Sequence, residues 1–582
     1  MIRFLEIPQT IEIAKVRRAD VPSAPDRSGK QEDNEKLALC RFSERIVCLF
    51  RKKVRKSRPF RNLLIVTAGI AALTLPTWAE DRPQEDLDLA KVTAAVVAEP
   101  IEAGPVAPTA DSIKVIPCPE WFRDAKFGIW AHWGPGCISG VSQNYAQDMY
   151  QVGTPAYKYH VEHIGDPATT GYKDMLKEWT ASKWDPQGLM KKYKAAGARY
   201  FVAMGRHHDN FDCYDSKYTK WNSVRIGPKK DVAGIWREAA LQEGLRFGLS
   251  FHPHISYFWR GQWGGWTKKA PDPGVVYDKF DTKDPKFWSL YMPPIGTPWL
   301  NKEFDDGVYA RIKDALDKCQ PDLLYFDGTL RSAETHGYKI IAHFYNSNIK
   351  HHGGHNEGIV NIKTEQGGVK DLERQQFNDI SPQPWQCDTS ESSWFYLDES
   401  MAADELFTIH KSSTTMLHAL IDIVSKNGNL LMNIPQRADG TIDEHGEILL
   451  ADFAEWMKIN AEAIFETRPW KVYGEGPSQL PRPISSLPPA TQKLVSRDLK
   501  TPMTSKDIRF TKKGDVLYAF ALGLPTEPVQ IKALAGEKID GITLLGSDAK
   551  LDWKQDADAL VIQPLKTWPC RHAVVFKIQL AK

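Results

Sequence analysis

The chain of 582 residues is poor in cysteine, in long hydrophobic runs and in net charge. It contains 8 cysteines, and the six that follow Ala79 are scattered without a CxxC pair, which excludes a zinc ribbon. Its formal net charge is only +2, and outside the basic N-terminal region the chain is slightly acidic, which does not favour a nucleic-acid binder. Since only one apolar run, Leu63–Trp78, approaches the length of a membrane span, a polytopic membrane protein is also excluded.

Several catalytic signatures are missing as well. No Walker A, GxGxxG or GxSxG pattern occurs, so nucleotide binding, dinucleotide binding and serine hydrolase chemistry have no support. The loop His351–Glu357 (HHGGHNE) crowds metal-type donors together but lacks the HExxH order. We therefore interpret this loop as an exposed polar segment rather than a metal site.

The N-terminal region has the features of an export signal. Residues 1–62 carry 16 basic and 8 acidic side chains, which leaves the rest of the chain slightly acidic. A basic cluster at Arg51–Arg61 precedes an apolar segment, Leu63–Pro76, and a small-residue cleavage motif ending at Ala79. Residues 1–79 are thus predicted to be an N-terminal extension and signal peptide cleaved near Ala79, with a secreted or periplasmic body; an uncleaved membrane anchor is the alternative. Because the signal lies far from Met1, we expect translation to start downstream, with residues 1–50 absent or not folded.

The body of the chain divides into three predicted parts. Residues 80–114 have no clear hydrophobic period and are predicted to be a linker. In residues 115–470, short apolar strands alternate with amphipathic helices, which indicates an α/β fold with a parallel sheet covered on both faces. A (β/α)8 barrel is the simplest fold that accounts for alternating strands and helices in a catalytic domain of this length. Residues 471–582 show short alternating runs at about ten-residue spacing, which predicts a small β-sandwich.

The strand segments that we predict for the barrel are Lys126–His132, Arg199–Met204, Phe247–Phe251, Leu323–Phe326, Gly358–Ile362 and Asn429–Ile434. Polar and aromatic residues follow several of these strands, where a barrel carries its catalytic groups. They include His132 and Trp133, His207 and His208, His252 and Tyr257, and Asp327. The adjacent histidines are compatible with a metal site or with hydrogen bonding in the loop. Since neighbours on a strand point to opposite sides, one of the pair is expected to be structural.

Asp327 closes the apolar strand LLYF, where a carboxylate has no packing role. It suits a nucleophile or a metal ligand, and its alternative role is the N-cap of the next helix. Acid/base chemistry needs a second carboxyl group. Glu373, Glu391 and Glu399 are the candidates, and sequence spacing does not choose among them.

Four segments together resemble family-29 glycoside hydrolases, the α-L-fucosidases. They are Trp121–Gly134 (WFRDAKFGIWAHWG), Ala196–Ser216 (AGARYFVAMGRHHDNFDCYDS), Asp322–Gly328 (DLLYFDG) and Ser425–Thr441 (SKNGNLLMNIPQRADGT). Their order and spacing agree with the family over about residues 115–475, and the C-terminal sandwich is similar to the family's accessory domain. The resemblance implies a retaining enzyme with an aspartate nucleophile and no metal or other cofactor.

The resemblance also assigns roles to individual residues. Asp327 corresponds to the nucleophile and Glu373 to the acid/base position of many members. The remaining matched residues are implied to contact the sugar: His132, Trp133, His207, His208 and Trp394, the last in the segment SWFY. Tyr257 joins this substrate-binding set from its place after the third strand.

The sequence departs from the family at several positions. Arg206 and Asn210 replace the common lysine and glycine beside the histidine pair. Gln143-Asn144-Tyr145 and Trp385-Gln386-Cys387 lack carboxylates that members often carry there, and these losses favour Glu373 as the acid/base group. Lys363 stands where the family has an arginine, which removes an expected arginine contact with the sugar.

The function implied is an exo-acting retaining α-L-fucosidase that hydrolyses terminal α-L-fucosyl residues of glycans through a covalent fucosyl-enzyme. Two alternatives stay open: an inactive carbohydrate-binding relic of the same fold, and a metal-dependent hydrolase that uses the histidine clusters. The expected partner is a fucosylated oligosaccharide or glycoconjugate, with no nucleic acid, and a membrane only if the signal is uncleaved.

Overall fold

The computed structural model describes residues 82–253, 256, 280–292, 300–328, 330, 333–364, 367–398, 400–401, 410–478, 495–497, 499 and 502–581. The predicted signal peptide, Tyr257 and Glu399 lie outside these residues. No helix in the described part combines the length and the apolar character needed to cross a bilayer.

Eight parallel strands close into a barrel, as the sequence predicts. Around the barrel they are β1 Phe127–Ala131, β2 Tyr200–Arg206, β3 Arg246–Phe251, β4 Leu323–Phe326, β5 Ile359–Ile362, β6 Val369–Asp371, β8 Trp385–Ser390 and β9 Gly428–Asn433. Strand β9 pairs with β1 and completes the ring. Nearly every barrel-strand residue is buried, which explains the almost continuous apolar runs.

The α-helices of the barrel layer and its loops begin and end at clear sequence signals. Side-chain caps on backbone N–H groups start several of them: Asp185, Asp231, Ser412 and Asp443 accept from Gly188, Gly234, Thr415 and Gly446. In chain order the helices are α1 Gln84–Ala98, α2 Ala110–Lys114, α3 Glu120–Ala125, α4 Tyr145–Asp148, α5 Pro155–His163, α6 Tyr172–Met175, α7 Pro186–Ala195, α8 Val232–Gln242, α9 Trp288–Tyr291, α10 Leu300–Cys319, α11 Tyr338–His351, α12 Ser413–Ser425 and α13 Glu444–Ile464.

The segment 80–114, predicted to be a linker, contains helices α1 and α2 instead. Helix α1 packs against α10, and Arg82 forms an ion pair with Glu303 at 2.9 Å. Asn346 of α11 accepts from the backbone N–H of Val106 at 2.9 Å, which fastens the segment further along. The weak hydrophobic period of this segment therefore reflects a helix that is held to the barrel largely by polar contacts.

The C-terminal part is built from two small sheets of antiparallel strands around their own apolar core. The strands are β10 Gly474–Glu475, β11 Val495–Arg497, β12 Ile508–Lys513, β13 Val516–Ala521, β14 Val529–Ile531, β15 Ile539–Leu544, β16 Trp553–Gln555, β17 Leu560–Ile562 and β18 Val574–Leu580. One sheet has the order β10-β12-β13-β18-β15 and the other the order β14-β17-β16. A short strand of the barrel domain, β7 Gln375–Phe377, pairs with β11.

The C-terminal sheets pack on barrel helices α12 and α13 through polar as well as apolar contacts. Asp422 of α12 forms ion pairs with Lys426 and with Arg509 of β12, and all three side chains are buried. The indole N–H of Trp456 in α13 donates to the carbonyl of Ala573 at 2.8 Å. These contacts join the C-terminal sheets to α12, which lies between β8 and β9 in the chain, and to α13, which follows β9.

Candidate active site

Asp327 lies directly after β4 and accepts hydrogen bonds from three neighbouring strand ends. His208 Nε2 and His252 Nδ1 donate to Oδ2 at 3.1 and 3.0 Å, and Lys363 Nζ donates to Oδ1. Burial alone would raise the pKa of Asp327, but the charge of Lys363 and the two imidazole donors hold it well below its usual range. Asp327 is thus kept ionised, as a carboxylate nucleophile requires.

Lys363 follows β5 and joins the two predicted catalytic carboxylates. Its ammonium donates both to Asp327 Oδ1 and to Glu373 Oε2. Burial would lower the pKa of Lys363, but Asp327 and Glu373 raise it well above its usual range. The only signal for Lys363 in the sequence is a cation at the position of the family's arginine.

Glu373 stands in the turn after β6 with its side chain 39% exposed. Since one nitrogen contacts both carboxylates, their nearest oxygens lie at most about 6 Å apart, twice an ordinary hydrogen-bond length. Retaining glycosidases place their two carboxyl groups about 5–5.5 Å apart. The upper limit for Asp327 and Glu373 lies below the separation of about 6.5–9.5 Å that inverting enzymes need, so the arrangement is compatible with retention.

The other candidate, Glu391, has different partners. Its carboxylate accepts from His410 Nδ1 at 2.7 Å and from the hydroxyl of Ser392 at 2.9 Å, and the residue is only 1% exposed. Its carboxylate is therefore held by the loop that follows β8, whereas Glu373 shares a cation with Asp327.

Three histidine rings pack against one another beside Asp327. The ring centroids of His132 and His207 are 4.6 Å apart, and those of His207 and His252 are 4.7 Å apart. Burial lowers the pKa values of His132 and His207 well below their usual range and that of His252 to about 4. All three imidazoles are therefore neutral at pH 7.

Both members of the adjacent pair belong to this site. His208 donates to Asp327, and His207 stacks on His208 with ring centroids 4.0 Å apart while also contacting His132. The argument that one of the pair is structural rested on the alternation of side chains along a strand, and strand β2 ends at Arg206, before the pair. A purely structural role for His207 stays a prediction.

Trp394 lies next to the histidine rings of the site. Its ring lies 5.4 Å from that of His132, and the Arg374 guanidinium lies 4.7 Å from the ring centroid. The side chain is half-buried, so part of the indole is open to a ligand. This position is compatible with its predicted contact with an apolar sugar face.

Trp133 lies elsewhere, which corrects its predicted contact with substrate. His132 contacts the ring of His207 in the site. Trp133 is instead 1% exposed and packs on Trp179 and Trp184 with ring centroids 5.0 and 5.2 Å away. It belongs to the core between the barrel and its helices.

A second pair of carboxyls lies inside the barrel near Lys363. Asp371 accepts from Gln386 Nε2 at 2.7 Å, and Asp388 accepts from the hydroxyl of Tyr325 at 3.1 Å. Burial and the neighbouring Asp388 raise the pKa of Asp371 well above its usual range. Burial likewise raises the pKa of Asp388, and both carboxyls interact electrostatically with the Lys363 ammonium.

The loop at His351–Glu357 behaves as an ordinary polar segment. His352 Nε2 hydrogen-bonds Asp322 at 2.7 Å, and Glu357 pairs with Arg246 at 2.9 Å. Over the described residues, the groups of donors close enough to hold a metal ion are found elsewhere.

Comparisons with known proteins identify the family of this chain. The family model described as "Alpha-L-fucosidase" matches residues 93–462, and that described as "Alpha-L-fucosidase C-terminal domain" matches residues 501–579. The tissue α-L-fucosidase of Rattus norvegicus is 25% identical over 511 residues, which cover 83% of this chain and 96% of the rat protein. That of Homo sapiens is 25% identical over 467 residues, covering 78% and 86%.

A solved structure supports the same relationship. The α-fucosidase of Thermotoga maritima, in complex with a mechanism-based inhibitor, superposes with a TM-score of 0.63 at 25% identity. The match covers 82% of this chain and 100% of the Thermotoga chain. With more than half of its length matched by the family model, and with a closed (β/α)8 barrel and an antiparallel C-terminal domain, this chain belongs to the α-L-fucosidases, family 29 of the glycoside hydrolases.

Proposed function

We propose that this protein is an exo-acting retaining α-L-fucosidase that hydrolyses terminal α-L-fucosyl residues of glycans. The observation that carries the proposal is the contact of one ammonium, Lys363, with both Asp327 and Glu373 at the carboxyl ends of the barrel strands. It supports a two-carboxylate mechanism in a barrel whose family is known.

In the first step, a carboxylate oxygen of Asp327 attacks the anomeric carbon of the fucosyl residue. The bond from that carbon to the leaving oxygen breaks as Glu373 transfers its proton to that oxygen. The products are a free alcohol or glycan and a fucosyl ester of Asp327. Lys363 releases Glu373 when the sugar enters between the two carboxyl groups, which lets Glu373 take up the proton that it then donates. The ammonium continues to offset the charge of Asp327.

In the second step, the ionised Glu373 takes a proton from a water molecule, whose oxygen attacks the anomeric carbon. The ester bond to Asp327 breaks and the carboxylate is regenerated. Since the anomeric carbon is inverted twice, L-fucose leaves with its α-configuration retained.

Sugar recognition falls to the residues beside Asp327. The neutral imidazoles of His132 and His207 and the hydrogen-bonding imidazole of His208 are suited to orienting hydroxyl groups. Trp394 offers an apolar face for the C6 methyl. A contact with one methyl group is worth about 1–3 kcal/mol of discrimination, which would distinguish fucose from galactose. The contact predicted for Tyr257 stays a prediction.

The test is hydrolysis of an aryl α-L-fucoside by the purified protein without added metal, with the matching aryl α-galactoside as control. Proton NMR during the first turnovers is expected to show α-L-fucose before mutarotation. Appearance of the β-anomer first would contradict retention. No release from aryl or natural fucosides would favour the carbohydrate-binding relic, and loss of activity in EDTA would favour the metal-dependent hydrolase.

We also propose that the protein is exported. The support is the order of the basic cluster Arg51–Arg61, the apolar segment Leu63–Pro76 and the cleavage motif at Ala79. N-terminal sequencing of the mature protein is expected to begin at Glu80. Recovery of the intact Leu63–Pro76 segment in the membrane fraction would instead show an uncleaved anchor.

A further inference from the structure

The three rings of His132, His207 and His252 form an arrangement that sugar binding alone does not require. Each offers one ring nitrogen, and these three nitrogens all lie within 4.8 Å of one another. All three residues are buried, with exposed fractions of 4%, 6% and 2%. His252 in particular was matched to no sugar-contacting position of the family.

Unpaired nitrogens point to a missing ligand. Among the residues that the structure describes, His132 Nδ1 and His252 Nε2 are both buried without a hydrogen-bond partner. A buried polar atom without a partner is costly, so such atoms call for an explanation. Two of them in one cluster of imidazoles indicate a group that accepts nitrogen lone pairs.

His252 is also prepared as a metal ligand by its other nitrogen. Its Nδ1 lies 3.0 Å from Asp327 Oδ2, and an ionised carboxylate only accepts, so Nδ1 carries the proton. Nε2 is then left with a free lone pair. Histidines that bind metals usually donate their second nitrogen to a carboxylate in this way, which fixes the tautomer and the ring orientation.

The spacing of the rings fits a single ion. With metal–nitrogen bonds of about 2.0–2.1 Å and tetrahedral angles, the centroids of three imidazoles lie about 5 Å apart. The observed centroid separations are 4.6, 4.7 and 5.3 Å. The three nitrogens, which lie within 4.8 Å of one another, would have to approach to about 3.3 Å to bind one ion.

We propose that His132, His207 and His252 bind one divalent transition-metal ion of the zinc type, and that this ion inhibits the enzyme by occupying the sugar site. Three neutral imidazoles favour zinc, copper, nickel or cobalt over magnesium or calcium, which prefer oxygen ligands. The inhibition, though not the metal binding, rests on the proposed function, since His132 and His207 cannot hold sugar hydroxyls while they hold the ion.

Metal binding is tested with Co²⁺ on the full-length protein, without reference to activity. One equivalent is expected to give the visible absorption of tetrahedral Co²⁺, which Zn²⁺ displaces and Mg²⁺ and Ca²⁺ do not. His252→Asn and His132→Asn are each expected to weaken Co²⁺ binding by about 100-fold or more, beyond the 10–100-fold typical of losing a second-shell partner. L-fucose added to the unmodified protein is expected to abolish the absorption.

The matched control is His410→Asn, which alters the separate donor cluster of Glu391, His410 and Asp443. This variant is expected to keep the Co²⁺ signal. Loss of the signal in His410→Asn, or its persistence in both His252→Asn and His132→Asn with circular dichroism showing folded protein, would overturn the proposal.

Inhibition is measured in the same preparation with the aryl α-L-fucoside. Zn²⁺ is expected to raise KM without changing kcat, and EDTA is expected to restore the original KM. A Zn²⁺ effect confined to kcat, or no effect at saturating Zn²⁺, would overturn the inhibition. Absence of fucosidase activity together with three-histidine Co²⁺ binding would refute the proposed function and leave the metal site standing.

Discussion

Lys363 donates to Oδ1 of Asp327, the oxygen opposite to the one that two imidazoles hold. Three hydrogen bonds from barrel strand ends thus hold this carboxylate in orientation as well as in charge. Preorganisation of this kind lowers the cost of bringing a nucleophile to its target.

Replacement of the nucleophile is expected to abolish turnover without unfolding the protein. Asp327→Ala should lower kcat by about 10⁴-fold or more, as removal of a nucleophile does in other hydrolases. The free energy of unfolding should change by only about 1 kcal/mol, because Lys363 keeps Glu373 as a partner. Sodium azide should restore activity and yield β-fucosyl azide; recovery of the α-azide would show that Asp327 is not the nucleophile.

Glu373→Gln separates the two steps of the reaction. The rate of hydrolysis of natural fucosides, which have poor leaving groups, should fall by a factor of about 10²–10⁴, the usual contribution of a positioned acid. Activated aryl fucosides should still react in the first step, so the covalent intermediate should accumulate and be visible by mass spectrometry. Glu357→Gln, which alters a carboxylate paired with Arg246, is the matched control. A loss below tenfold on both substrates would exclude Glu373 as the acid/base group.

The pH profile reports the role of Lys363. Its charge helps to hold the pKa of Asp327 well below its usual range, so Asp327 stays ionised in acid. In Lys363→Met the pKa of Asp327 should rise, and the acid limb of kcat/KM should move to higher pH. Lys363→Arg keeps the cation and should keep the limb in place. Identical profiles for Lys363→Met and the unmodified enzyme would show that the ammonium does not control the nucleophile.

The two tryptophans should respond in opposite ways to truncation. Trp394→Ala should raise KM about tenfold or more through loss of an apolar sugar contact, with little change in thermal stability. Trp133→Ala should destabilise the fold by about 3–5 kcal/mol, the cost of emptying a buried aromatic site, with KM unchanged in the folded fraction. Thermal melts and Michaelis–Menten kinetics on both variants decide; the reverse pattern would place Trp133 at the sugar.

Acid should lower the stability of the protein by protonating His418, which lies in the contact between the barrel and the C-terminal sheets. Burial lowers the pKa of His418 from 6.5 to about 4, and its Nδ1 accepts from the backbone N–H of Met503 at 3.1 Å. Between these two pH values the unfolded chain binds the proton and the folded protein does not, so stability rises with pH across that window. The free energy of unfolding should therefore fall by up to about 3 kcal/mol as pH drops from 6.5 to 4.

His418→Gln is the variant that isolates this effect. It should be less stable at neutral pH because one or both buried hydrogen bonds are lost, but its stability should change less between pH 6.5 and 4. Chemical denaturation at several pH values measures both quantities. An unchanged pH dependence would show that another group is responsible.

The sequence predicts the fold well wherever both faces of a strand are apolar. The strand at Leu323–Phe326 was predicted with the bounds that the structure has, and Asp327 was found at its end. Strands β6 and β8 were missed, because β6 has three residues and β8 carries Gln386 and Asp388 toward the interior. Polar side chains such as Gln386 and Asp388 interrupt the apolar pattern by which a buried strand is recognised in the sequence.

The site was predicted less completely, for reasons of geometry. Trp133 and His132 are neighbours in a matched motif, and only the direction of the side chain on β1 separates a core residue from a site residue. Lys363 was noted as a departure, but its contact with two carboxylates depends on the meeting of β4, β5 and β6. No spacing along the chain encodes that meeting.

The closure of the barrel by β1 and β9 also constrains how the protein is made. Roughly 300 residues separate the two strands, so at about 5–20 residues per second the ribosome needs roughly 15–60 s to supply the second. Until then one edge of β1 has no partner, and the side chain of Asn433 is not there to accept from the backbone N–H of His132. A chain truncated before β9 is therefore an open sheet prone to aggregation rather than a smaller enzyme.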